Sequence, residues 1–389
     1  MKAIAITERV SFVGAVDWDR RLFDAIVPLP DGTSYNSYLV RGTEKVALLD
    51  TVDPTMADTL FARLAGLERL DYIISHHAEQ DHSGLIPEVL RRFPAAKVIA
   101  SGAGRNLLQD LLHVPPEAIQ VVKDGEVLDL GGLTLRFVMT PWVHWPETMC
   151  SWCEEEGILF SCDFFASHLA TSSLYASGDT RVMEAAKRYY AEIMMPYATL
   201  VRKNIEKVSG LNPRIIAPSH GPLHDQPAAI FEAWRGWTDP APGKEVAIAF
   251  VSMHGSTRVM VDRLCSALSD RGVAHRRFDL VTADLGQLAM SLLDAATLVL
   301  ATPLVLNGAH PTVLHAAALV NALKPKLKHV AVMGSFGWNG KPLEQAASWL
   351  PELKVEWLPL VSCKGLPRAA DLEAVDGLAQ TIADRHAAG

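Results

Sequence analysis

The chain has 389 residues, 49% of them hydrophobic and 21% charged, which describes a globular protein with a sizeable core and more than one domain. A net charge of −8 without any Lys/Arg-rich run excludes a nucleic-acid-binding surface. No stretch approaches the roughly 18 consecutive apolar residues of a membrane span.

The N-terminal segment places Glu8 and Arg9 inside its apolar stretch and shows no small-residue cleavage signal. Five cysteines, an odd and scattered set, suit reduced thiols. Both features predict a cytoplasmic protein. Next come three short strands, "YNSYLV", "KVALLD" and "YIIS", with helical spacing over residues 55–67 and hairpin patterning over 119–140. "TMCSWCEEEGILFSCD" reads as a further hairpin turning near Gly157. Cys150 and Cys153 stand three apart on it and therefore face opposite sides, so they form no chelating pair. Residues 181–208 form the strongest amphipathic helix pattern of this half. "PRIIAPSHGP" then ends a strand in a histidine. Strands and helices mixed in this way, with ligand-type residues at strand ends, predict a layered α/β arrangement.

"TDPAPGKE", residues 238–245, has the composition of a linker and divides the chain into domains 1–242 and 243–389. Beyond it the rhythm becomes strand–helix alternation. The strands are "EVAIAFVS", "HRRFDL", "ATLVLATP", "HVAVMGS" and "KVEWLPLV", and the helices cover about 257–271, 285–293, 311–323, 341–350 and 371–386. This is the pattern of a doubly wound, five-stranded parallel sheet, whose ligands bind at the carboxyl ends of the strands.

Two groups of residues carry chemistry. "SHHAEQDHSG" directly follows a strand and holds His77, Glu79, Asp81 and His82 in the spacing H-x-E-x-D-H. His144, Asp163 and His220 occupy later strand-end positions, giving four histidines and three carboxylates, enough for two cations sharing one carboxylate. His76 alternates away from that set, and His224 is expected to reach solvent. Trp142, Trp145 and Tyr35 are candidates to wall the metal pocket, and His168 to sit near the open coordination positions as a hydrogen-bond donor that does not itself ligate. In the second half, "SMHGST" (Ser252, Met253, His254, Gly255, Ser256, Thr257) opens a helix with small hydroxyl residues and a glycine, which suits a phosphate at a helix N-terminus.

The metal set resembles the metallo-β-lactamase superfamily, with Glu79 standing where its binuclear hydrolases carry a second histidine. Added anionic oxygen ligands favour iron over zinc. With a flavodoxin-like second half, the whole chain from residue 33 onward resembles the flavodiiron proteins, or A-type flavoproteins. That resemblance implies an N-terminal metallo-β-lactamase-like αββα sandwich followed by a flavodoxin-like domain. It implies His77, Glu79 and His144 on one iron, Asp81, His82 and His220 on the other, and Asp163 bridging them. It also implies FMN, with its phosphate at 252–257 and its ring between Pro303, Leu304 and Asn307 on one loop and Ser335, Phe336, Gly337, Trp338 and Gly340 on another. His254 departs from the tyrosine often found in the phosphate loop.

The activity implied is reduction of O2 to water, of NO to N2O, or both. A head-to-tail homodimer is implied as well. With no room before Gly389 for a fused electron donor, electrons are expected from a separate rubredoxin, flavin reductase or reduced deazaflavin. The alternatives are a dizinc hydrolase fused to a flavin-binding regulatory domain, against which Glu79 argues, and an electron-carrier flavoprotein with a vestigial first domain.

Overall fold

The computed structural model describes residues 1–388, which divide into two compact units. The first comprises Met1–Tyr190 with Tyr197–Asp239, and the second comprises Ala191–Pro196 with the chain from Pro240 onward.

In the first unit, the strand Tyr72–Ile74 shows how the layers arise. Successive side chains point to opposite faces. Ile73 joins Leu39, Leu48 and Val98 beneath the helices Ala57–Arg63 and Ile86–Arg92, whereas Ile74 joins Leu49 and Ile99 against a second sheet. The first sheet runs Ile4–Ala5, Val10–Phe12, Tyr38–Arg41, Val46–Leu49, Tyr72–Ile74, Lys97–Ala100, Ile119–Val121. It is antiparallel as far as Val46–Leu49 and parallel beyond. The second sheet runs Val127–Asp129, Thr134–Met139, Met149–Cys153, Ile158–Cys162, Ile215–Pro218, with only its last pair parallel. Phe137, Met149, Phe160 and Ala217 fill the space between the sheets. Beyond the second sheet, Trp234 of the helix Pro227–Trp237 packs edge-on against Phe164 and Phe165. Two packed sheets with helices outside form an αββα sandwich.

Two expectations for this unit are corrected. Residues 119–140 are not a run of hairpins, because Ile119–Val121 is the last parallel strand of the first sheet and only Val127–Asp129 and Thr134–Met139 pair as a hairpin. Local alternation does not specify which sheet a strand joins. Residues 181–208 are not one helix: Val182–Tyr189 leads into a π-helical turn, Tyr190–Met194, then the 3-10 turn Met195–Tyr197 and the helix Ala198–Ser209. Pro196 accounts for the break, since it offers no N–H and its ring displaces a carbonyl of the preceding turn.

The second unit is a parallel sheet in the order His275–Asp279, Glu245–Phe250, Ala295–Val305, His329–Phe336, with Glu356–Trp357 and Val361–Lys364 sharing the last edge. This 2-1-3-4-5 order is that of flavodoxin-like folds. The helices Ser256–Ser269 and Ala369–Ala388 cover one face, where Met260, Leu264, Leu378 and Ile382 pack on Ile248, Val299 and Ala331. The cysteines are all free, and no helix among the described residues is long and apolar enough to cross a membrane.

Phe137 is fully buried between the two sheets of the first unit. Phe137→Ala is expected to cost that unit about 3–5 kcal/mol in denaturant unfolding, and a loss below about 1 kcal/mol would contradict the packing described.

His224 departs from the expectation of a solvent-facing side chain, being only 3% exposed. Its backbone bridges to Ile216, and its Nε2–H donates to the Phe165 carbonyl at 2.8 Å, so a tertiary pairing buries what its polar neighbours suggested was surface. Burial pulls its pKa from 6.5 down to about 4. Between those values the unfolded chain binds a proton that the folded chain refuses. The stability His224 contributes near neutrality is therefore lost as pH falls through this window, by about 3 kcal/mol in all. His224→Gln should flatten that acid-side loss relative to the wild type in urea titrations at about pH 7 and about pH 4.5, and equal losses would refute the assignment.

Candidate dinuclear metal centre and flavin pocket

The ligand-type residues of the first unit converge from strand ends. His77 follows Tyr72–Ile74, Glu79 caps the short helix Gln80–Ser83 that carries Asp81 and His82, Asp163 follows Ile158–Cys162, and His220 follows Ile215–Pro218. The loop is pinned from below. Thr51 donates its backbone N–H and its hydroxyl to the His82 carbonyl, each at 2.6 Å, and Ser83 Oγ donates to the Ala78 carbonyl at 2.7 Å.

The donors form two groups. His77, Glu79, His144 and Asp163 bring one ligand atom each within 4.8 Å of one another, and so do Asp81, His82 and His220. Asp163 faces both. Its Oδ2 lies 3.5 Å from His77 Nε2 and 3.5 Å from His144 Nε2, while its Oδ1 lies 3.2 Å from His82 Nε2 and 3.4 Å from His220 Nε2. Glu79 Oε2 closes the first group at 3.1 Å from His77 Nε2 and 3.3 Å from His144 Nε2. Asp81 closes the second, 3.3 Å from His82 Nε2 and 3.2 Å from His220 Nε2.

These donors fit a pair of cations better than they fit one another. Both Asp81 oxygens, Asp163 Oδ2 and His82 Nε2 are buried without a well-aligned hydrogen bond, although each has an oppositely charged neighbour close by. Atoms that approach without aligning point to a common centre. Burial opposes charge on each group, and the facing charges outweigh it. Glu79 is held below the ordinary carboxylate range by His144 and His77, and Asp163 by His82 and His144. In turn, Glu147 and Glu79 raise His77, Asp163 and Glu79 raise His144, and Asp81 with Asp163 pushes His82 up to about 9. Ligand protons therefore neutralise the cluster in the metal-free chain, and cations would displace them.

Supporting residues fix how the histidines present themselves. His77 Nδ1–H donates to Glu147 Oε1 at 2.6 Å and His220 Nδ1–H to the Ser34 carbonyl at 2.6 Å, so each Nε2 is turned into the cluster, where a cation would replace any proton on it. Ser219 Oγ donates to Asp163 Oδ1 at 2.7 Å. Sequence reasoning missed Glu147, although "HWPET" places a carboxylate three residues after His144. It missed Tyr189 as well, whose ring packs 4.9 Å from His168 and 6.0 Å from His220 and whose phenol is pushed well up by burial and by Asp163.

Tyr35 and Trp145 do wall the cluster, with ring centroids 5.8 Å from His220 and 4.9 Å from His77. Trp142 does not; it is 41% exposed and stacks on Tyr197. His168 packs against the His220 ring at 4.6 Å with its Nδ1 2.8 Å from Thr33 Oγ1. Burial, and then the charge of His220, hold its pKa well below the usual value. His76 turns away from the cluster, as strand alternation predicts, and bonds to Asp50 and Ser151.

In the second unit a cavity of about 170 Å³ opens at the carboxyl ends of the strands. Ser252, Met253, His254, Ser256 and Thr257 line one side, Pro303 and Leu304 a second, and Ser335, Phe336 and Gly337 a third. Gly255 makes the turn into the helix Ser256–Ser269 at φ 93°, a conformation that favours glycine, and aims the positive helix end at the cavity. Thr257 Oγ1 and Ser335 Oγ lie 3.0 Å apart and tie the first loop to the third. Gly365, just past the strand Val361–Lys364, is a further lining residue that the sequence did not single out. Asn307, Trp338 and Gly340 stand outside the lining, with Trp338 83% exposed.

A family model described as "ODP family beta lactamase" matches residues 33–221. The chain is 37% identical to the coenzyme F420H(2) oxidase of Methanothermobacter marburgensis, over 87% of this chain and 88% of that protein. It is 32% identical to the rubredoxin-oxygen oxidoreductase of Megalodesulfovibrio gigas, over 98% of each, and 31% identical to the nitric oxide reductase of Moorella thermoacetica, again over 98% of each. Among solved structures it superposes on the rubredoxin oxygen:oxidoreductase of Desulfovibrio gigas with a TM-score of 0.95, at 31% identity and covering 100% of this chain and 99% of that one. Identity at this level across both units, together with two donor groups sharing Asp163 and a phosphate-ready loop on a 2-1-3-4-5 sheet, establishes that the chain belongs to the flavodiiron family of A-type flavoproteins.

Proposed function

We propose that this protein is a cytoplasmic flavodiiron oxidoreductase that reduces O2 to water, NO to N2O, or both, with residues 1–242 as the diiron domain and 243–389 as the FMN domain. The observation that carries the reading is Asp163, which presents one carboxylate oxygen to each of two donor groups. Three carboxylates among the seven donors favour iron over zinc. His77, Glu79 and His144 would hold one iron, and Asp81, His82 and His220 the other. Relatives named for both gases support the substrate class. A dizinc hydrolase fused to a flavin-binding regulatory domain is disfavoured by Glu79, whose hard anionic oxygen stands where zinc sites carry a second histidine.

When bound, the irons supply gas binding and electrons, and FMN supplies their replacement. What the chain itself contributes is geometry and protonation. Glu147 and the Ser34 carbonyl hold the tautomers of His77 and His220. His168 braces the His220 ring, and Tyr35 and Trp145 pack on the ligand imidazoles. Tyr189 keeps its phenolic proton beside the bridge because burial and Asp163 disfavour the phenolate. That proton matters because either reduction consumes protons along with electrons. In the second unit, residues 252–257 would take the FMN phosphate on backbone N–H groups and hydroxyls, with Pro303, Leu304, Ser335, Phe336 and Gly337 of the cavity lining flanking the ring and Asn307, Trp338 and Gly340 at its rim. A separate donor would feed the flavin, a rubredoxin, flavin reductase or reduced deazaflavin, in line with relatives named for rubredoxin and for F420H2. A head-to-tail homodimer completes the proposal.

Anaerobically reduced protein mixed with O2 or NO in a stopped-flow instrument should be reoxidised rapidly by at least one gas. Asp163→Ala should retain FMN and lose gas turnover by about 100-fold or more, because the shared ligand is gone. Purified protein that held zinc, hydrolysed esters and consumed neither gas would overturn the proposal.

A further inference from the structure

Behind the ligand loop lies a hydrogen-bonded chain that the function above does not use. His76 Nδ1 is 2.7 Å from Asp50 Oδ2, His76 Nε2 is 2.7 Å from Ser151 Oγ, and the His76 backbone N–H donates to Asp50 Oδ1 at 2.8 Å. Asp50, His76 and Ser151 are 4%, 1% and 0% exposed. The order Asp–His–Ser matches that of a hydrolytic triad, yet the serine lies within a fully buried strand, Met149–Cys153, where no substrate can reach it. The arrangement therefore calls for a different role.

The three residues come from different parts of the sandwich. Asp50 directly follows Val46–Leu49 of the first sheet, at φ 53°, a left-handed conformation that Asp tolerates and that aims its carboxylate at His76. Ser151 belongs to the second sheet. His76 stands between them as the residue immediately before His77. A carboxylate at Nδ1 fixes the tautomer: Nδ1–H donates to Asp50, so Nε2 accepts the Ser151 hydroxyl proton. The peptide is held at further points. The Met149 N–H donates to the His76 carbonyl at 3.1 Å, and Ser75 Oγ donates to the His77 carbonyl at 3.0 Å. Rotating the 76–77 peptide would break several buried hydrogen bonds at once, and the side chain that such a rotation would misdirect is His77.

We propose that Asp50, His76 and Ser151 are positioning residues for the metal centre: they clamp the peptide ahead of His77 to both sheets and so aim its Nε2 at the cation shared with Glu79 and His144. The proposal rests on the metal-ligand reading given above. The side chains of Ser151 and Asp50 touch no donor of either group and meet the ligand loop at His76.

The test uses two near-isosteric variants of the full-length, iron- and FMN-loaded protein, Asp50→Asn and Ser151→Ala. Asp50→Asn presents an amide where the ring N–H needs an acceptor, and Ser151→Ala removes only the hydroxyl. Readouts are iron affinity by competition with a chelator and the electron paramagnetic resonance signal of the half-reduced centre, alongside FMN content and thermal midpoint. Each variant is expected to bind iron about 10–100-fold more weakly, the range seen when a ligand's supporting shell is removed, with an altered signal and normal FMN content. Ser151→Thr, which restores a hydroxyl, should recover the wild-type signal. Folded variants with iron affinity within about twofold of wild type and an unchanged signal would overturn the proposal, and Ser151→Ala decides alone if Asp50→Asn does not fold. Wild-type protein that bound no metal pair would instead overturn the ligand reading itself.

Discussion

The first unit is organised around one carboxylate. Asp163 is buried, and its two oxygens face different pairs of imidazoles, Oδ2 those of His77 and His144 at 3.5 Å and Oδ1 those of His82 and His220 at 3.2 and 3.4 Å. An ionised carboxylate so enclosed is costly unless charge and hydrogen bonds compensate it. The surrounding polar architecture supplies that compensation: the imidazoles across the cluster, and Ser219 on Oδ1. A sandwich of two sheets suits the task because each strand end delivers its ligand from a rigid support, and Glu147, Ser34 and Thr51 anchor the intervening loops.

Buried polarity in this region falls into shells with different chemistry. Among the inner atoms, both Asp81 oxygens, Asp163 Oδ2 and His82 Nε2 are close to their neighbours but poorly aligned for hydrogen bonding, as expected of groups that ligate a common ion. The next shell is well aligned and short, with contacts of 2.6–2.7 Å from Glu147, Ser34 and Ser219. Aligned bonds of that length fix rings and tautomers, and misaligned donors leave lone pairs for a metal. His77 spans the two shells on one ring, with Nδ1 bonded to Glu147 and Nε2 turned inward, 3.1 Å from Glu79 and 3.5 Å from Asp163.

Much of this was legible in the sequence, for identifiable reasons. The H-x-E-x-D-H spacing packs four donors into one loop, and the alternation rule correctly turned His76 away from them. The second unit's central strands, Glu245–Phe250, Ala295–Val305 and His329–Phe336, were readable as apolar runs because they are buried on both faces. What escaped depends on residues distant in sequence. Ile119–Val121 pairs with Lys97–Ala100 and not with its hairpin-like neighbours, and His224 is buried by bridging to Ile216. Glu147 becomes a partner of His77 only when two loops meet, so the sole sequence signal was its nearness to His144. The helix expected over 181–208 failed at Pro196, a residue whose local chemistry was readable but was outweighed by the amphipathic pattern around it.

Whether Asp163 joins two irons into one centre is tested most directly by Mössbauer spectroscopy of the iron-loaded, oxidised protein. A spin-coupled diiron pair with a diamagnetic ground state is the predicted result, lost in Asp163→Ala. Two magnetically isolated irons in the wild-type protein, or zinc in their place, would contradict it.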